Sequence, residues 1–342
     1  MSTPRRVLRI AGAAALVLGL GACSAPGRAA LGPSQPIGLP APTQSGHPRQ
    51  PAQPAVNPLT GGTPSDNPVV AVKIEDTAAG RPQLGIDKAD IVYIEQVEGG
   101  LTRLLAIYDS VLPTVEPVRS TRANDPELAM QFGPIIYVAS GGSRAELAPL
   151  DRSDLRSDIN DRLGPGFVRD GDRAMPNDLR ADLAVIAAKL KGPRAKSIGL
   201  AWSTKIVNPS TRTGGTVRTR IGATPVAFDW SAALHRYVRL IDGAIQRTAD
   251  NKTISTPNVV VQFCRSTVYP QDRDVLGNPA QYTHTIGSGK VVVFRDGRRV
   301  DGTWTRSGLT DGTHLLDVHH RPIALAPGGV WFVLVATGTP LN

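Results

Sequence analysis

The clearest pattern in the first half of the chain is a series of short runs rich in β-branched and aromatic residues. Four of these runs lie between residues 67 and 140: NPVVAVKIED, ADIVYIEQV, RLLAIYDS and IIYVAS. Polar or turn-forming residues separate them. Runs of this length and composition predict β-strands. We therefore expect the first folded segment to begin near Asn67.

Helical patterns fall between these runs. The sequence NDPE (124–127) places a capping residue, a proline and an acid ahead of LAMQF, which is typical of a helix start. SRAELAPLD (143–151) predicts a second helix. PNDLRADLAVIAAKLK (176–191) predicts a third, with apolar residues three or four positions apart. Strands that alternate with helices predict an α+β or α/β module over residues 67–210.

From about residue 215 the chain is almost entirely strand-like. PVAFDW, HRYVRLIDG, NVVVQFCRSTVY, KVVVFRDGRRV and VWFVLVAT are separated by turn residues. Within the fourth run, Asp296-Gly297 is a dipeptide preferred in tight two-residue hairpins. We predict a smaller, mostly β module over residues 220–342. The segment 208–222, rich in glycine, threonine and serine, is expected to join the two modules.

The N-terminus has a different pattern. The basic sequence MSTPRR precedes an apolar run, residues 10–20, which is too short to span a bilayer because a spanning helix needs about 20 residues. A basic segment followed by such a run predicts a secretory signal. The run ends in LGAC (20–23), which resembles the lipobox of bacterial lipoproteins. We predict that residues 1–22 are a lipoprotein signal peptide and that Cys23 carries acyl chains such as palmitate. The alternative is an ordinary signal peptide.

The next segment, residues 24–66, contains ten prolines, with glycine, serine, glutamine and alanine between them. This composition buries too little apolar surface to offset the entropy of the chain. We predict that residues 23–66 comprise the acylated cysteine and a disordered tether. The protein is expected to be lipid-anchored in the cell membrane, on its extracytoplasmic face.

Charge and cysteine content add two expectations. The formal net charge is +9, but no basic run with interleaved aromatic residues occurs, so no nucleic-acid partner is predicted. The chain has two cysteines. If Cys23 is acylated, Cys264 has no partner within the chain. Its place in the apolar run NVVVQFCR predicts a buried free thiol.

Several segments together resemble the YerB-like family of bacterial lipoproteins. The resemblance covers most of residues 57–335 and implies an envelope lipoprotein with N-terminal and C-terminal parts of unknown function. It implies no established activity and no catalytic residue. The sequence departs from the family at MPND (175–178), where relatives tend to have a His-Asn pair. The segments that carry the resemblance are NPLTG (57–61), RPQLGIDKADIVYIEQVEGGLTRLLAIY (81–108), EPVRSTR (116–122), RDGDRAMPNDL (169–179) and GSGKVVVFRDGRRVDGTW (287–304).

Five arginines are candidates for binding an anionic ligand: Arg103, Arg119, Arg122, Arg169 and Arg173. The planar guanidinium group matches phosphate and carboxylate in two-point contacts. Two of these arginines precede the helix start at residue 126, where free amide groups also favour an anion.

The alternative is structural. In it, the same arginines only form salt bridges with nearby acids, namely Glu95, Glu98, Asp109 and Asp170.

Other site chemistries have weaker support. GSGK (287–290) lacks the Ser/Thr and the following helix of a phosphate-binding loop, and predicts a hairpin turn instead. The histidines and aspartate of HLLDVHH (314–320) fall on opposite faces of a strand, so no metal site is predicted. Glu95 and Glu98 would also face opposite sides of a strand. No cofactor is predicted.

Two classes of function remain. The favoured class is a non-enzymatic envelope lipoprotein that binds an anionic wall polymer, a glycan or an envelope partner protein. The alternative is a hydrolase or transferase that acts on a phosphate- or carboxylate-bearing component of the cell wall. In that case the arginines would hold the substrate, and Glu98 or Asp170 would be the general acid or base.

Overall fold

A computed structural model describes residues 56–159, 164–208 and 212–342. The predicted signal peptide, Cys23 and most of the predicted tether lie outside the described residues. Residues 56–66, the last part of the predicted tether, pack against the folded unit. Asn57 and Leu59 are fully buried, and the Asn57 amide donates a hydrogen bond to the Asp109 carboxylate. The folded region therefore begins before Asn67.

The described residues contain 22 strands and three α-helices. The helices are α1 (Asp125–Ala129), α2 (Arg144–Asp151) and α3 (Leu183–Leu190). The strands are β1 (Val70–Glu75), β2 (Ile91–Gln96), β3 (Thr102–Tyr108), β4 (Thr114–Val115), β5 (Ile136–Ala139), β6 (Arg156–Ile159), β7 (Phe167–Arg169), β8 (Leu179–Asp182), β9 (Ala201–Trp202), β10 (Thr216–Ile221), β11 (Thr224–Ser231), β12 (Arg236–Ile241), β13 (Ala244–Ile245), β14 (Ser255–Thr256), β15 (Asn258–Cys264), β16 (Ser266–Arg273), β17 (Pro279–Thr283), β18 (Gly287–Arg295), β19 (Arg298–Arg306), β20 (His314–Asp317), β21 (Ala324–Leu325) and β22 (Val330–Ala336).

The predicted α+β or α/β class of the N-terminal module is wrong. The residues that the structure describes are mostly β, with 43% strand and 12% helix. The predicted helix over residues 176–191 shows why. Its first part is strand β8, in which Leu179 and Ala181 alternate into the core, and only the rest forms α3. Asp182 is the last residue of β8 and the N-cap residue of α3. Its carboxylate accepts a hydrogen bond from the Val185 N–H, at 3.1 Å.

A mixed sheet of ten strands forms the centre of the molecule, in the order β20-β19-β18-β15-β22-β2-β3-β1-β5-β6. One half comes from strands before residue 160 and the other from strands after residue 257. The halves meet where β2 and β22 pair in parallel, with Ile91 opposite Val330 and Ile94 opposite Val333. Both segments distinguished in the sequence therefore contribute to one sheet.

Both faces of this sheet are covered, which explains why its central strands are almost continuously apolar. Side chains such as Val261 and Val333 pack on one face, beneath α3 and the strands β4, β7, β8, β10, β11 and β12. Neighbouring side chains such as Val260 and Leu334 point to the other face, which packs against α1 and the segment around Leu325.

A buried ion pair links the two parts of the chain. Arg239 of β12 donates two hydrogen bonds to the Asp76 carboxylate, at 2.7 and 2.8 Å. Both side chains are 1% exposed, and the guanidinium group lies 5.1 Å from the Trp331 ring centroid. A buried pair of this kind contributes geometric specificity, and the loss of one partner costs about 3–5 kcal/mol.

The hairpin predicted at Asp296-Gly297 is confirmed. Both residues have positive φ, and Arg295 pairs with Arg298 across the turn between β18 and β19. The hairpin turn predicted at residues 287–290 is wrong, because these residues begin strand β18 itself. A Cβ atom at Gly289 would lie 2.6 Å from the Trp304 indole nitrogen, so the glycine makes room for that ring.

Candidate functional site

Four of the five candidate arginines line a single open cavity of about 520 Å³. Arg103 lies in β3, Arg119 and Arg122 lie between β4 and α1, and Arg169 ends β7. The sequence does not predict that these four side chains face the same cavity. The fold brings them together there. The remaining lining residues are Glu98, Ser120, Ser140, Gly141, Gly142, Ser143, Glu146, Met175, Pro176, Leu179, Asp272, Arg273, Asp274 and Val275.

Arg103 and Arg119 share one acid, Glu75, at the end of β1. The Arg119 Nε donates to Glu75 Oε2 at 2.8 Å, while the Arg103 Nε lies 3.7 Å from the same oxygen. Burial of Glu75 opposes its ionisation, but the two arginines and two backbone N–H groups outweigh burial and lower its pKa. Burial lowers the pKa of Arg103 to about 10, and the nearby Arg122 contributes in the same direction.

Arg122 lies deeper and contacts two acids. Its Nε and a terminal nitrogen donate to Glu98 Oε2, at 3.0 and 2.5 Å. The same Nε lies 3.0 Å from Glu146 Oε1. Burial raises the pKa of Glu146 to about 7. Arg122 opposes this shift, whereas Asp272 and Glu98 add to it. The cavity therefore contains a carboxyl group that titrates near neutral pH.

The helix N-terminus at the cavity is that of α2. Its N-cap residue Ser143 lines the cavity and forms a capping box with Glu146, in which each side chain bonds the other residue's backbone N–H. The helix start near residue 126, which the sequence placed beside an anion, does not line this cavity. Asp125 and Pro126 at the start of α1 are buried and do not line the cavity.

A buried polar network holds the loop that carries Arg122. The Lys73 ammonium donates to the carboxylates of Glu95 and Asp125, and all three side chains are fully buried. Asp125 also accepts hydrogen bonds from the Tyr137 hydroxyl and from the Arg122 backbone N–H, both at 2.6 Å. The network therefore fixes the backbone at Arg122 beneath the cavity.

The sequence does not predict this network. The prediction that Glu95 pairs with an arginine is wrong, because its partner is Lys73. The available signal was Lys73 itself, a charged residue within the apolar run VVAVKIE. A lysine in a strand that is buried on both faces requires an acidic partner, because an isolated buried charge is too costly.

The other predicted residues lie elsewhere. Arg173 lies 3.6 Å from Glu116 and does not line the cavity. Asp170 pairs with Arg180 and does not line the cavity. The Asp109 carboxylate accepts a hydrogen bond from the Asn57 side-chain amide. Of the four acids expected to pair with the candidate arginines, Glu98 alone does so, with Arg122, among the described residues.

The hairpin of β16 and β17 supplies part of the cavity that the sequence did not predict. Asp272, Arg273, Asp274 and Val275 reach the cavity from this hairpin, which belongs to the C-terminal segment. Both sequence segments therefore build the site. Met175 is 70% exposed and also lines this cavity.

Three carboxylates meet in this cavity. One oxygen from each of Glu98, Glu146 and Asp272 lies within 4.8 Å of the others. In the part of the chain that the structure describes, no other group of three His, Cys, Asp or Glu side chains converges in this way. Cys264 is buried and free, as predicted, and burial raises its pKa to about 12. It is therefore no nucleophile at neutral pH.

Fold and site define a mostly β protein, built on one mixed sheet, with an arginine- and acid-lined cavity formed by both parts of the chain. The chain belongs to the DUF3048 family. Residues 58–196 match the family model described as "Protein of unknown function (DUF3048) N-terminal domain", and residues 216–332 match the model of its C-terminal domain. This confirms the family resemblance seen in the sequence.

Two comparisons with YerB of Bacillus subtilis, one of sequence and one of structure, agree with this assignment. The chain is 27% identical over 286 residues to "Putative lipoprotein YerB" of Bacillus subtilis (strain 168), covering 78% of this chain and 80% of that protein. The crystal structure of YerB protein from Bacillus subtilis matches with a TM-score of 0.71 at 23% identity. That match covers 84% of this chain and all of the other, and it shows the shared fold. No helix among the described residues is both long and apolar enough to cross a membrane.

Proposed function

We propose that this protein is a lipid-anchored envelope protein whose arginine cavity binds an anionic wall polymer through its phosphate or carboxylate groups. The observation that carries the proposal is the convergence of Arg103, Arg119, Arg122 and Arg169 from three separate parts of the chain on one open cavity. Arginine recognises these anions in two-point contacts and keeps its charge.

Pairing with acids does not use every donor of these arginines. Arg119 bonds Glu75 through Nε and the Pro176 carbonyl through one terminal nitrogen. Its other terminal nitrogen has no hydrogen-bond partner among the described residues. The buried Nε of Arg103 also makes no hydrogen bond, and its ion-pair partner Glu75 Oε2 lies 3.7 Å away. Buried donors are normally satisfied, so unused donors at a cavity wall favour an acceptor supplied by a ligand.

The accessible part of the site is the side formed by Arg119 and Arg169. Their side chains are 15% and 25% exposed, compared with 9% for Arg122. Arg122 is held between Glu98 and Glu146, which makes it mainly a structural residue of the wall. Of the three candidate arginines between residues 95 and 122, Arg119 is therefore the best placed to contact the polymer.

One observation favours a second candidate, a hydrolase or transferase of a phosphate- or carboxylate-bearing wall component. Glu146, with a pKa of about 7, lines the cavity beside Glu98. A carboxyl group that titrates near neutral pH is suited to general acid or base catalysis. Asp170 does not line the cavity, so this candidate relies on Glu98 and Glu146. Release of cleaved polymer by wild-type protein, lost in Glu146→Gln, would favour it.

Binding is tested with the full chain in detergent, titrated with poly(glycerol phosphate) and with an uncharged glycan of similar length. We expect the phosphate polymer to bind and the glycan not to bind. Arg119→Ala removes one charge-assisted contact, worth about 1.5–3 kcal/mol, and should weaken binding roughly ten- to a hundredfold. Arg247→Ala is the control, because Arg247 is exposed and does not line the cavity. Equal affinity of wild-type protein and Arg119→Ala would refute the proposal.

The membrane anchor is a separate part of the proposal, supported by the LGAC sequence and by the similarity to a protein described as a lipoprotein. We expect Cys23→Ala to abolish fatty-acid labelling of the protein in cells. Cys264→Ala is the matched control and should be labelled like the wild type, because Cys264 is buried. Label that persists on the Cys23→Ala protein would show that the anchor is assigned wrongly.

A further inference from the structure

We propose that Glu98, Glu146 and Asp272 form a binding site for a divalent cation that prefers oxygen ligands, namely Ca²⁺, Mg²⁺ or Mn²⁺. This site adds to the anionic-ligand proposal and does not depend on it, since a cation can bind to the carboxylates alone. It would be the cation-binding part of a cavity whose arginines face an anion.

The distances fit one ion. One oxygen from each of the three carboxylates lies within 4.8 Å of the others. Oxygens on opposite sides of a Ca²⁺ ion lie about 4.6–5.2 Å apart, which is twice the usual bond length of about 2.3–2.6 Å. The three oxygens can therefore share one coordination sphere. An all-oxygen, carboxylate-rich set favours hard cations over Zn²⁺ or Cu²⁺.

Unused acceptors provide a second, independent observation. Glu98 and Glu146 are 5% and 3% exposed, so each is more than nine-tenths buried. Glu98 Oε1 is inaccessible to solvent and accepts no hydrogen bond from the described residues, whereas Glu146 Oε1 accepts none but lies 3.0 Å from the Arg122 Nε as an ion pair. The side chain of Asp272 likewise has no hydrogen-bond or ion-pair partner in the described parts of the chain. Buried carboxylate oxygens are costly without a partner, and a cation would satisfy them.

The local charge points the same way. Arg122 contacts both Glu98 and Glu146, which leaves three carboxylates with one directly paired cation. A divalent cation would complete the charge balance.

The site is assembled by tertiary structure, which explains why the sequence did not predict it. Glu98 follows β2, Glu146 lies in the first turn of α2, and Asp272 lies in β16. No two of these residues are close in sequence. Asp272 comes from the C-terminal segment, so cation binding would also tie the β16–β17 hairpin to the rest of the cavity.

The proposal is tested by electron paramagnetic resonance of Mn²⁺ added to the full chain in detergent after treatment with a chelator. We expect one Mn²⁺ per chain, displaced by Ca²⁺ or Mg²⁺. Asp272→Asn should weaken binding at least tenfold, about the smallest loss seen when a residue supporting a metal site is removed. Asp151→Asn makes the same charge change at an exposed position and should bind like the wild type.

Two results would overturn the proposal. The first is no binding to the wild-type protein at about 10 mM Mn²⁺, above the roughly 10⁻³ M of weak extracellular sites. That result would mean that Arg122 is the cation held by these acids. The second is equal affinity of the wild type and Asp272→Asn. Arg119→Ala should retain Mn²⁺ binding, so failure of the polymer-binding proposal can be distinguished from failure of this one.

Discussion

At the scale of single residues, the question is whether an arginine beside an acid serves the fold or a ligand. Arg122 is held by Glu98 and Glu146 and is 9% exposed, so its removal would strand two buried carboxylates. Arg119 makes one ion pair and keeps an unused donor. The two arginines lie three positions apart in the sequence, yet their roles differ because of what each contacts.

Glu146 leads to a residue-scale prediction about pH. Its folded pKa of about 7 exceeds the ordinary value of 4.5, so between these pH values the folded state holds a proton that the unfolded state releases. The free energy of unfolding should therefore fall as pH rises through this window, by on the order of 3 kcal/mol from this group. Glu146→Gln keeps a residue that can form the capping box but removes the titration. We expect the free energy of unfolding of Glu146→Gln to fall less than that of the wild type over this pH window.

The measurement is urea denaturation at several pH values, with chelator present. Other buried acids, such as Glu95 and Asp109, also have raised pKa values and contribute the same sign. The informative quantity is therefore how the dependence of the free energy of unfolding on pH differs between wild type and Glu146→Gln. Asp151→Asn should keep the wild-type slope. Parallel pH profiles for wild type and Glu146→Gln would show that Glu146 has an ordinary pKa in the folded protein.

At the scale of elements, local sequence predicts strands well and their assembly poorly. The apolar runs after Asn67 form β1, β2, β3 and β5, and the Asp296-Gly297 turn joins β18 and β19. These signals are local. The pairing of β2 with β22 joins residues more than two hundred positions apart, and no periodicity encodes it. Arg169 and Asp272 likewise reach one cavity from distant parts of the sequence.

Segment 208–222 gives an element-scale prediction. Limited proteolysis is expected to cut the N-terminal tether first and the part of this segment that precedes β10 next. The two fragments should stay associated in native buffer, because the β2–β22 pairing and the Asp76–Arg239 ion pair hold them together. Size-exclusion chromatography of the nicked protein tests this. Fragments that elute separately would contradict the continuous sheet, and Arg239→Met should promote such separation.

At the scale of the whole molecule, one sheet covered on both faces supports a cavity that neither part of the chain could form alone. The N-terminal segment supplies the arginines and two of the carboxylates, while the β16–β17 hairpin supplies Asp272 and Arg273. A lipid anchor at Cys23 would keep this cavity outside the membrane, within reach of wall polymers. The proposal of an anionic ligand rests on the arrangement of these charges and not on the net charge of +9.

The most direct test of the central claim, that the cavity binds an anion, is a crystal structure of the protein soaked with selenate, a tetrahedral dianion with a usable anomalous signal. We predict an anomalous peak in the cavity, within hydrogen-bond distance of Arg119 and Arg169. The peak should be absent from Arg119→Ala crystals soaked in the same way. Selenate bound elsewhere on the surface, with none in the wild-type cavity, would contradict the claim.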